Sequence, residues 1–205
     1  MEKCWQKHRI FMQKLGALTS IVNVFAAGNS TMEGRFNNNT VTLGIANAGD
    51  GIRVLAQESS DIKIEISGNT VSGITQDNGI NAFSRAGDGR LDAVISGNNV
   101  MVGANANSNI RVGAGASGST FTNKTCTWVK NNTVSLNGFS QWEGRVVNAH
   151  ELLLQGTGGS MQANWNNNGN LPVSPPSIIN PLVSGAGLIS YNQTCNAPGN
   201  PPISF

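Results

Sequence analysis

Charged side chains are scarce in this chain of 205 residues, since aspartate, glutamate, lysine and arginine together make up 12% of it. The formal net charge is only +2. The chain therefore lacks a strongly basic surface, and we predict no nucleic-acid partner. Cysteine occurs three times and histidine twice, and no spacing among them resembles a zinc site. We predict neither a metal nor another cofactor.

Long apolar runs are also lacking, because no segment is apolar for long enough to cross a membrane as a helix. We accordingly predict a protein that does not span a membrane. The apolar residues, 39% of the chain, alternate with polar ones through the middle of the sequence. The 25 glycines and the many asparagines tolerate the positive φ of tight turns. This composition predicts many short strands joined by turns.

Two motifs recur with a common period. The first occupies residues 36–41, 66–71, 95–100 and 129–134. Its final valines are 30, 29 and 34 residues apart. The second lies between these copies, at residues 51–54, 79–82, 109–112 and 144–147. Two motifs that share one period indicate a repeat protein.

The residues before each copy of the first motif alternate as those of a half-buried strand do. In residues 61–66, an isoleucine at every second position would face the core, and the charged residues between would face solvent. Each period holds about three strand-sized runs separated by turn residues, which predicts a coil with three strands per turn. Successive turns of this coil would align Phe36, Ile66, Ile95 and Val129.

One asparagine recurs two residues before the valine of each first motif, and the set is Asn39, Asn69, Asn98 and Asn132. The residue before it is always Gly or Asn, which suits a residue held at positive φ. Each asparagine amide would bond to the equivalent amide of the next coil, and together they would form a buried ladder. The alternative is that all four are ordinary exposed turn residues.

These features resemble the right-handed parallel β-helix repeats of bacterial surface and autotransporter-passenger proteins, as in residues 66–71 followed by 78–80. Pectate-lyase-like enzymes and phage tailspikes use the same coil. The resemblance covers roughly residues 32–154. It implies an all-β fold, a right-handed parallel β-helix or solenoid of about four rungs, and it is more specific for fold than for function.

The two ends of the chain depart from the repeat, so we divide it into residues 1–27, 28–156 and 157–205. Residues 1–27 combine basic residues with an apolar stretch, and they fit either a secretory signal peptide or an amphipathic helix that caps the coil. Residues 157–205 are rich in Asn, Pro and Gly. Because proline is excluded from central strands, we expect an irregular tail along the coil or a cap on its C-terminal end.

The cysteines bear on the choice between signal peptide and helix. Removal of a signal peptide would delete Cys4 and leave Cys126 with Cys195. Because an even pair suits an oxidising compartment, we predict a disulfide between these two and a secreted or cell-surface location. The bridge would tie the tail to the last rung. Three unrelated thiols are the alternative.

Outward charges on two neighbouring rungs form one candidate site, which consists of Asp61, Lys63, Glu65, Arg90 and Asp92. A polysaccharide-cleaving enzyme of this fold would need acidic residues on one outer face. Alternating charges are, however, what any solvated sheet face carries. Neither histidine has a partner at a spacing that indicates nucleophilic catalysis. We therefore predict no catalytic residue.

The function that these observations predict is a non-catalytic structural or adhesive module of a bacterial surface protein. Surface glycans and host or cell-surface proteins are its expected partners. One alternative is a polysaccharide lyase, hydrolase or tailspike-like depolymerase. Another is a fibre subunit that associates end to end, because exposed coil ends are unpaired sheet edges.

Overall fold

A computed structural model describes residues 20–43, 49–115, 123–135, 140–147, 151–154, 182–184 and 188–190. Over these residues the chain forms sixteen β-strands and no helix. The strands make three sheets, and every pairing within them is parallel.

Neighbouring strands of a sheet are three strands apart in chain order, or two at the C-terminal end of sheets 1 and 2. Sheet 1 contains, in spatial order, β1 (Ser20–Ala26), β4 (Asp50–Gln57), β7 (Ile80–Arg85), β10 (Ser108–Ala114), β13 (Ser140–Val147) and β15 (Leu182–Ser184). Sheet 2 contains β2 (Thr31–Asn37), β5 (Asp61–Ser67), β8 (Arg90–Ser96), β11 (Lys124–Lys130), β14 (Glu151–Leu154) and β16 (Leu188–Ser190). Sheet 3 contains β3 (Thr40–Thr42), β6 (Thr70–Ile74), β9 (Asn99–Val102) and β12 (Thr133–Val134).

The chain therefore winds as a parallel solenoid. The valines of the first motif, Val41, Val71, Val100 and Val134, lie opposite one another in sheet 3. About three turns of the coil separate the first valine from the last. The prediction of an all-β parallel solenoid is confirmed, and its right-handed sense stays a prediction.

Inward side chains of the three sheets fill the core. The predicted stack is present, because Phe36 pairs with Ile66, Ile66 with Ile95, and Ile95 with Val129. The last three of these side chains are completely buried. Full burial of one such side chain contributes about 1.5–3 kcal/mol. Stacking of equivalent apolar residues is therefore a main source of stability along the axis.

A residue with positive φ directly follows each of the first four strands of sheet 2. The φ angles of Asn38, Gly68, Gly97 and Asn131 are 58°, 64°, 63° and 53°. These are the Gly or Asn residues for which the sequence predicts positive φ, and the prediction is confirmed. The conformation turns the chain sharply from sheet 2 into sheet 3.

The asparagine ladder follows this turn, and the hydrogen bonds confirm it. The backbone N–H and the side-chain Nδ2 of Asn69 both donate to Oδ1 of Asn98, at 2.9 Å each. Asn98 donates in the same way to Asn132, and Asn39 donates to Asn69. Each later Nδ2 also donates to a carbonyl of the preceding coil, as Asn98 does to Ile66 O at 2.9 Å.

The segment predicted as a signal peptide or capping helix is described only from Ser20 onward. Residues 20–26 form β1, which pairs with β4 as the first strand of sheet 1. Val22 and Ala26 are buried in the core. The helical interpretation is therefore wrong for these residues. Val22 and Ala26 are four residues apart, and this spacing suits one face of a strand as well as one face of a helix. Residues 1–19 lie outside the described part of the chain.

The coil also continues beyond residue 156, where the repeat is no longer visible in the sequence. β15 and β16 pair in parallel with β13 and β14. Each has only three residues, which is too short for a recognisable alternation. Neither strand contains a proline, in agreement with the exclusion of proline from central strands.

The fourth copy of the second motif lies in a different register from the one the sequence suggests. The motif predicts that Ile110 stacks on Arg145, but Ile110 pairs with Trp142 and Val112 with Gly144. The difference is three residues for Ile110 and is confined to the last copy. The longest interval of the repeat, 34 residues, lies at this end of the chain, so a loop of different length shifts the alignment.

Candidate functional site

The predicted charged patch is brought together on the outer face of sheet 2. Asp61 pairs with Arg90, Lys63 with Asp92, and Glu65 lies opposite Val94. The five charged residues thus occupy two adjacent strands. Three of them, Asp61, Glu65 and Asp92, accept hydrogen bonds or form ion pairs with described residues.

The carboxylates of this patch already have donors. Arg90 forms a two-point ion pair with Asp92, with Nε–Oδ2 at 2.7 Å and Nη2–Oδ1 at 2.9 Å. Glu65 pairs with Arg35 at 3.0 Å, and Oδ1 of Asp61 accepts the backbone N–H of Arg90 at 3.0 Å. Such pairs neutralise a sheet face, and we assign these residues a structural role.

A second set of outward residues lies on sheet 1 and forms what we call the polar row: Asn23, Arg53, Asn81 and Arg111. These residues pair in register across β1, β4, β7 and β10. Neighbours in such a row are about 4.8 Å apart. Amide and guanidinium side chains therefore alternate along the solenoid axis.

An apolar row runs beside the polar row, two residues further along each strand, and consists of Phe25, Leu55 and Phe83. Phe25 is 46% exposed although it is a large apolar side chain. The guanidinium carbon of Arg111 lies 5.4 Å from the ring centroid of Phe83, which is the geometry of a cation–π contact. Exposed Phe25 and half-buried Phe83 thus lie beside hydrogen-bond donors, whereas Leu55 between them is only 4% exposed.

Asp50, the first residue of β4, is hydrogen-bonded to Asn81 of the polar row. Its Oδ1 accepts the backbone N–H of Asn78 at 3.1 Å and Nδ2 of Asn78 at 2.8 Å. Its Oδ2 accepts Nδ2 of Asn81 at 2.9 Å. Asp50 is buried, so this carboxylate is a fixed support that orients Asn81.

Asp77 lies in the turn before β7, close to this row, and Asn107 donates to its Oδ1 at 3.2 Å. Burial raises the pKa of the Asp77 carboxyl above its ordinary value, and the neighbouring Asp50 carboxylate adds to the shift. The guanidinium groups of Arg111 and Arg53 act in the opposite direction. The carboxylates of Asp77 and Asp50 and the guanidinium groups of Arg53 and Arg111 therefore lie near enough to influence one another electrostatically.

Two amide oxygens in the same region are buried without a hydrogen-bond donor among the described residues. They are Oδ1 of Asn78 and Oδ1 of Asn81, whose Nδ2 groups both serve Asp50. Folded proteins rarely leave a buried acceptor unpaired, because the lost hydrogen bond costs about 1–3 kcal/mol.

None of these residues stands out in the sequence as a site. Asp50 precedes a glycine and has the pattern of a turn residue, and Asp77 belongs to no repeated motif. The available signal is that Arg53, Asn81 and Arg111 share the third position of the second motif. Equivalent positions stack in a solenoid, so the polar row follows from the repeat, whereas the approach of Asp77 does not.

The pKa of Asp77 leads to a test by pH. The folded protein binds the Asp77 proton more tightly than the unfolded chain does, so this group's stabilising contribution falls as pH rises from below 3.8 through the raised pKa. Asp77→Asn keeps an acceptor for Asn107 and removes this dependence. We expect thermal unfolding curves to show the variant gaining stability relative to the parent protein as pH rises from about 3 to 7. Asp61→Asn, at an exposed position, controls for the loss of one charge. A difference that does not change with pH would contradict the assignment.

Of the predicted bridge, only one cysteine lies in the described residues. Cys126, in β11, is completely buried and disulfide-bonded. Cys195 lies outside the described residues, so the pairing of these two cysteines stays a prediction.

In the described part of the chain, no group of three or more His, Cys, Asp or Glu could hold a metal ion. No helix there has the length and apolar character needed to cross a membrane. Comparison with protein-family models, with curated proteins and with solved structures finds no match to this chain.

Proposed function

We propose that the protein is a non-catalytic, extracellular adhesive module of a bacterial surface, and that it binds polysaccharide through the outer face of sheet 1. The observation that carries this proposal is the pair of rows on that face. Arg53, Asn81 and Arg111 follow one another along the axis, and the apolar row with a 46% exposed Phe25 runs beside them.

The chemistry of the two rows suits a sugar polymer. Guanidinium and amide groups donate hydrogen bonds to hydroxyl and carboxylate oxygens. Carboxylates such as Asp77 accept hydrogen bonds from hydroxyls. Aromatic rings cover the apolar C–H faces of a sugar ring and exclude water. A linear ligand with repeating units matches a surface that repeats its own side chains at each strand.

The scaffold behind the rows is rigid, which favours binding without an ordering cost. Ile52, Val54, Ile80 and Ala82 alternate with the outward residues of β4 and β7, and all are completely buried. The outward side chains therefore stand on a backbone that parallel pairing holds on both sides.

Binding should be measured by affinity electrophoresis in gels that contain a neutral β-glucan, an α-glucan or the uronate polymer polygalacturonate. We expect retardation by at least one polymer, and at least a tenfold weaker affinity for Arg53→Ala and for Phe25→Ala, which corresponds to about 1.4 kcal/mol. Retardation by the uronate polymer alone would indicate that the arginines bind carboxylate groups of the ligand. Retardation by a neutral polymer would indicate that they bind its hydroxyl groups.

Two control variants match these changes on other faces. Arg35→Ala removes an arginine that is 41% exposed on sheet 2, and Met101→Ala removes an apolar side chain that is 44% exposed on sheet 3. Both should bind as the parent protein does. The proposal fails if no polymer retards the protein, or if the control variants weaken binding as much as the sheet 1 variants.

One observation favours a second candidate function, the hydrolysis of a polysaccharide. Asp77 has a raised pKa beside a second carboxylate, and a general acid of a glycosidase needs such a shift. Asp50, however, already accepts three hydrogen bonds from Asn78 and Asn81, which leaves it poorly placed to activate water. Release of reducing ends that Asp77→Asn abolishes would establish hydrolysis in place of simple adhesion.

A further inference from the structure

Three arginines lie on the outer face of sheet 1, one on each of three successive strands. Arg53 belongs to β4, Arg85 to β7 and Arg111 to β10. All three point away from the core, because side chains alternate along a strand and a strand neighbour of each arginine is completely buried. These neighbours are Val54, Ser84 and Val112.

The three arginines alternate between the two sides of the apolar row. Arg53 and Arg111 belong to the polar row, which precedes the apolar row by two residues on each strand. Arg85 lies two residues after Phe83 on the same strand, and therefore on the opposite side. The two sides are four residues apart along a strand, or about 13 Å. From β4 to β10 the arginines thus form a zigzag that advances by one strand, about 4.8 Å, at each step.

The flanks of the apolar row carry positive charge. The guanidinium groups of Arg53 and Arg85 have no hydrogen-bond acceptor or ion-pair partner among the described residues, and Arg85 is exposed. Asp50 is the single acidic residue in the sequences of β1, β4, β7 and β10, and it is buried. Asp50 begins β4 and Asp77 precedes β7, so both lie on the side of the polar row that faces away from the apolar row.

A β-linked polymer of uronate sugars shows the same alternation as the zigzag. In an extended chain of this kind each sugar is turned over relative to the one before it, so successive carboxylates project to opposite sides. Each sugar also advances by about the distance between neighbouring strands. With one sugar over each strand, consecutive carboxylates would reach Arg53, Arg85 and Arg111 in turn.

We propose that the outer face of sheet 1 binds a linear, β-linked acidic polysaccharide, which lies along the solenoid axis with one sugar over each of β4, β7 and β10. Arg53, Arg85 and Arg111 bind the carboxylates of three consecutive sugars through charge-assisted hydrogen bonds. Phe83 and Phe25 lie under the C–H faces of the sugar rings. This inference rests on the proposed function and names the class of its ligand.

Calorimetric titration with three hexasaccharides tests charge and shape separately. A β-linked glucuronate hexamer has both the charge and the extended shape. Cellohexaose has the shape without the charge, and an α-linked galacturonate hexamer has the charge with a different shape. We expect the glucuronate hexamer to bind at least about tenfold more tightly than either of the others.

The outcomes of this titration separate the inference from the proposed function. If cellohexaose or the galacturonate hexamer binds as tightly as the glucuronate hexamer, or if none of the three binds, the inference is wrong. The proposed function would then still stand wherever a polymer retards the protein in the affinity gels and the sheet 1 variants weaken that retardation. If no polymer retards the protein, the proposed function fails as well.

An exchange of two paired residues tests the zigzag itself. Gln57 pairs with Arg85 in register, so Gln57→Arg combined with Arg85→Gln keeps the composition and the net charge but moves one guanidinium group from β7 to β4. Two arginines would then flank one sugar and none would reach the next carboxylate. We expect affinity for the glucuronate hexamer to fall at least about tenfold, as in Arg85→Ala.

Arg35→Ala is the matched control, because it removes an exposed arginine from the outer face of sheet 2, and it should bind the glucuronate hexamer as the parent protein does. Circular dichroism spectra identical to that of the parent would show that the variants remain folded. If the folded exchange variant binds as tightly as the parent, net charge alone accounts for binding and the proposed arrangement of the polymer is wrong.

Discussion

Replacing Asn98 by alanine is expected to lower the free energy of unfolding by about 3–4 kcal/mol. Asn98 lies at the centre of the ladder and is 1% exposed. Its Oδ1 accepts two hydrogen bonds from Asn69, and its Nδ2 donates to Asn132 and to Ile66 O. Alanine leaves the donors of Asn69 and the carbonyl of Ile66 without these partners, where water does not reach them.

Urea unfolding followed by circular dichroism would measure this effect. Asn99→Ala is the matched control, because Asn99 is the next residue in the chain and its side chain is exposed. We expect Asn99→Ala to change stability by less than about 0.5 kcal/mol. Equal effects of the two variants would show that the ladder contributes no more than an exposed turn asparagine does.

Replacing Gly79 by alanine is expected to lower the free energy of unfolding by about 2–3 kcal/mol, because the site has no room for a methyl group. A Cβ atom at Gly79 would lie 2.6 Å from the carbonyl oxygen of Asn109 and would overlap Cγ1 of Val100. The same crowding recurs one coil earlier, where a Cβ at Gly51 would lie 2.6 Å from the carbonyl oxygen of Gly79. Backbone atoms of adjacent coils therefore touch at this corner.

Gly34→Ala provides the control for this change. A Cβ atom at Gly34 would meet no atom within 4 Å, and Gly34 lies in the middle of β2. Alanine reduces the conformational freedom of the unfolded chain, so we expect Gly34→Ala to stabilise the protein by about 0.5–1 kcal/mol. The two substitutions should shift the urea midpoint in opposite directions. A fall of similar size in both would mean that loss of glycine, and not crowding, is responsible.

Much of the fold could be predicted because a solenoid places each residue against its own equivalent. Phe36, Ile66 and Ile95 stack as expected, since positions that share one phase of the period must lie one strand spacing apart. The asparagine ladder could be predicted for the same reason. Prediction was weaker where the period breaks, as at Trp142, because a loop of different length moves the register without changing the local pattern.

The candidate site could be predicted only in part. Asp61 and Arg90 lie on adjacent strands, as the period indicates, but the ion pair of Arg90 with Asp92 depends on rotamers that a sequence does not contain. The meeting of Asp77 with Asp50 and Arg111 depends on the path of turns outside the repeated motifs. Turns of unequal length carry no periodic signal, so their side chains cannot be placed in advance.

By itself, the sequence determined the parallel coil, the residues that face its core and the asparagines that bond along its axis. These features depend on contacts between equivalent positions, which the period specifies directly. Only the tertiary structure decided that the outer face of sheet 1 gathers Arg53, Asn81 and Arg111 beside exposed Phe25, and that Val94 is covered on sheet 2. Alternation shows that a residue points outward, but exposure depends on what else packs above it, and that is set by chain segments far away in the sequence.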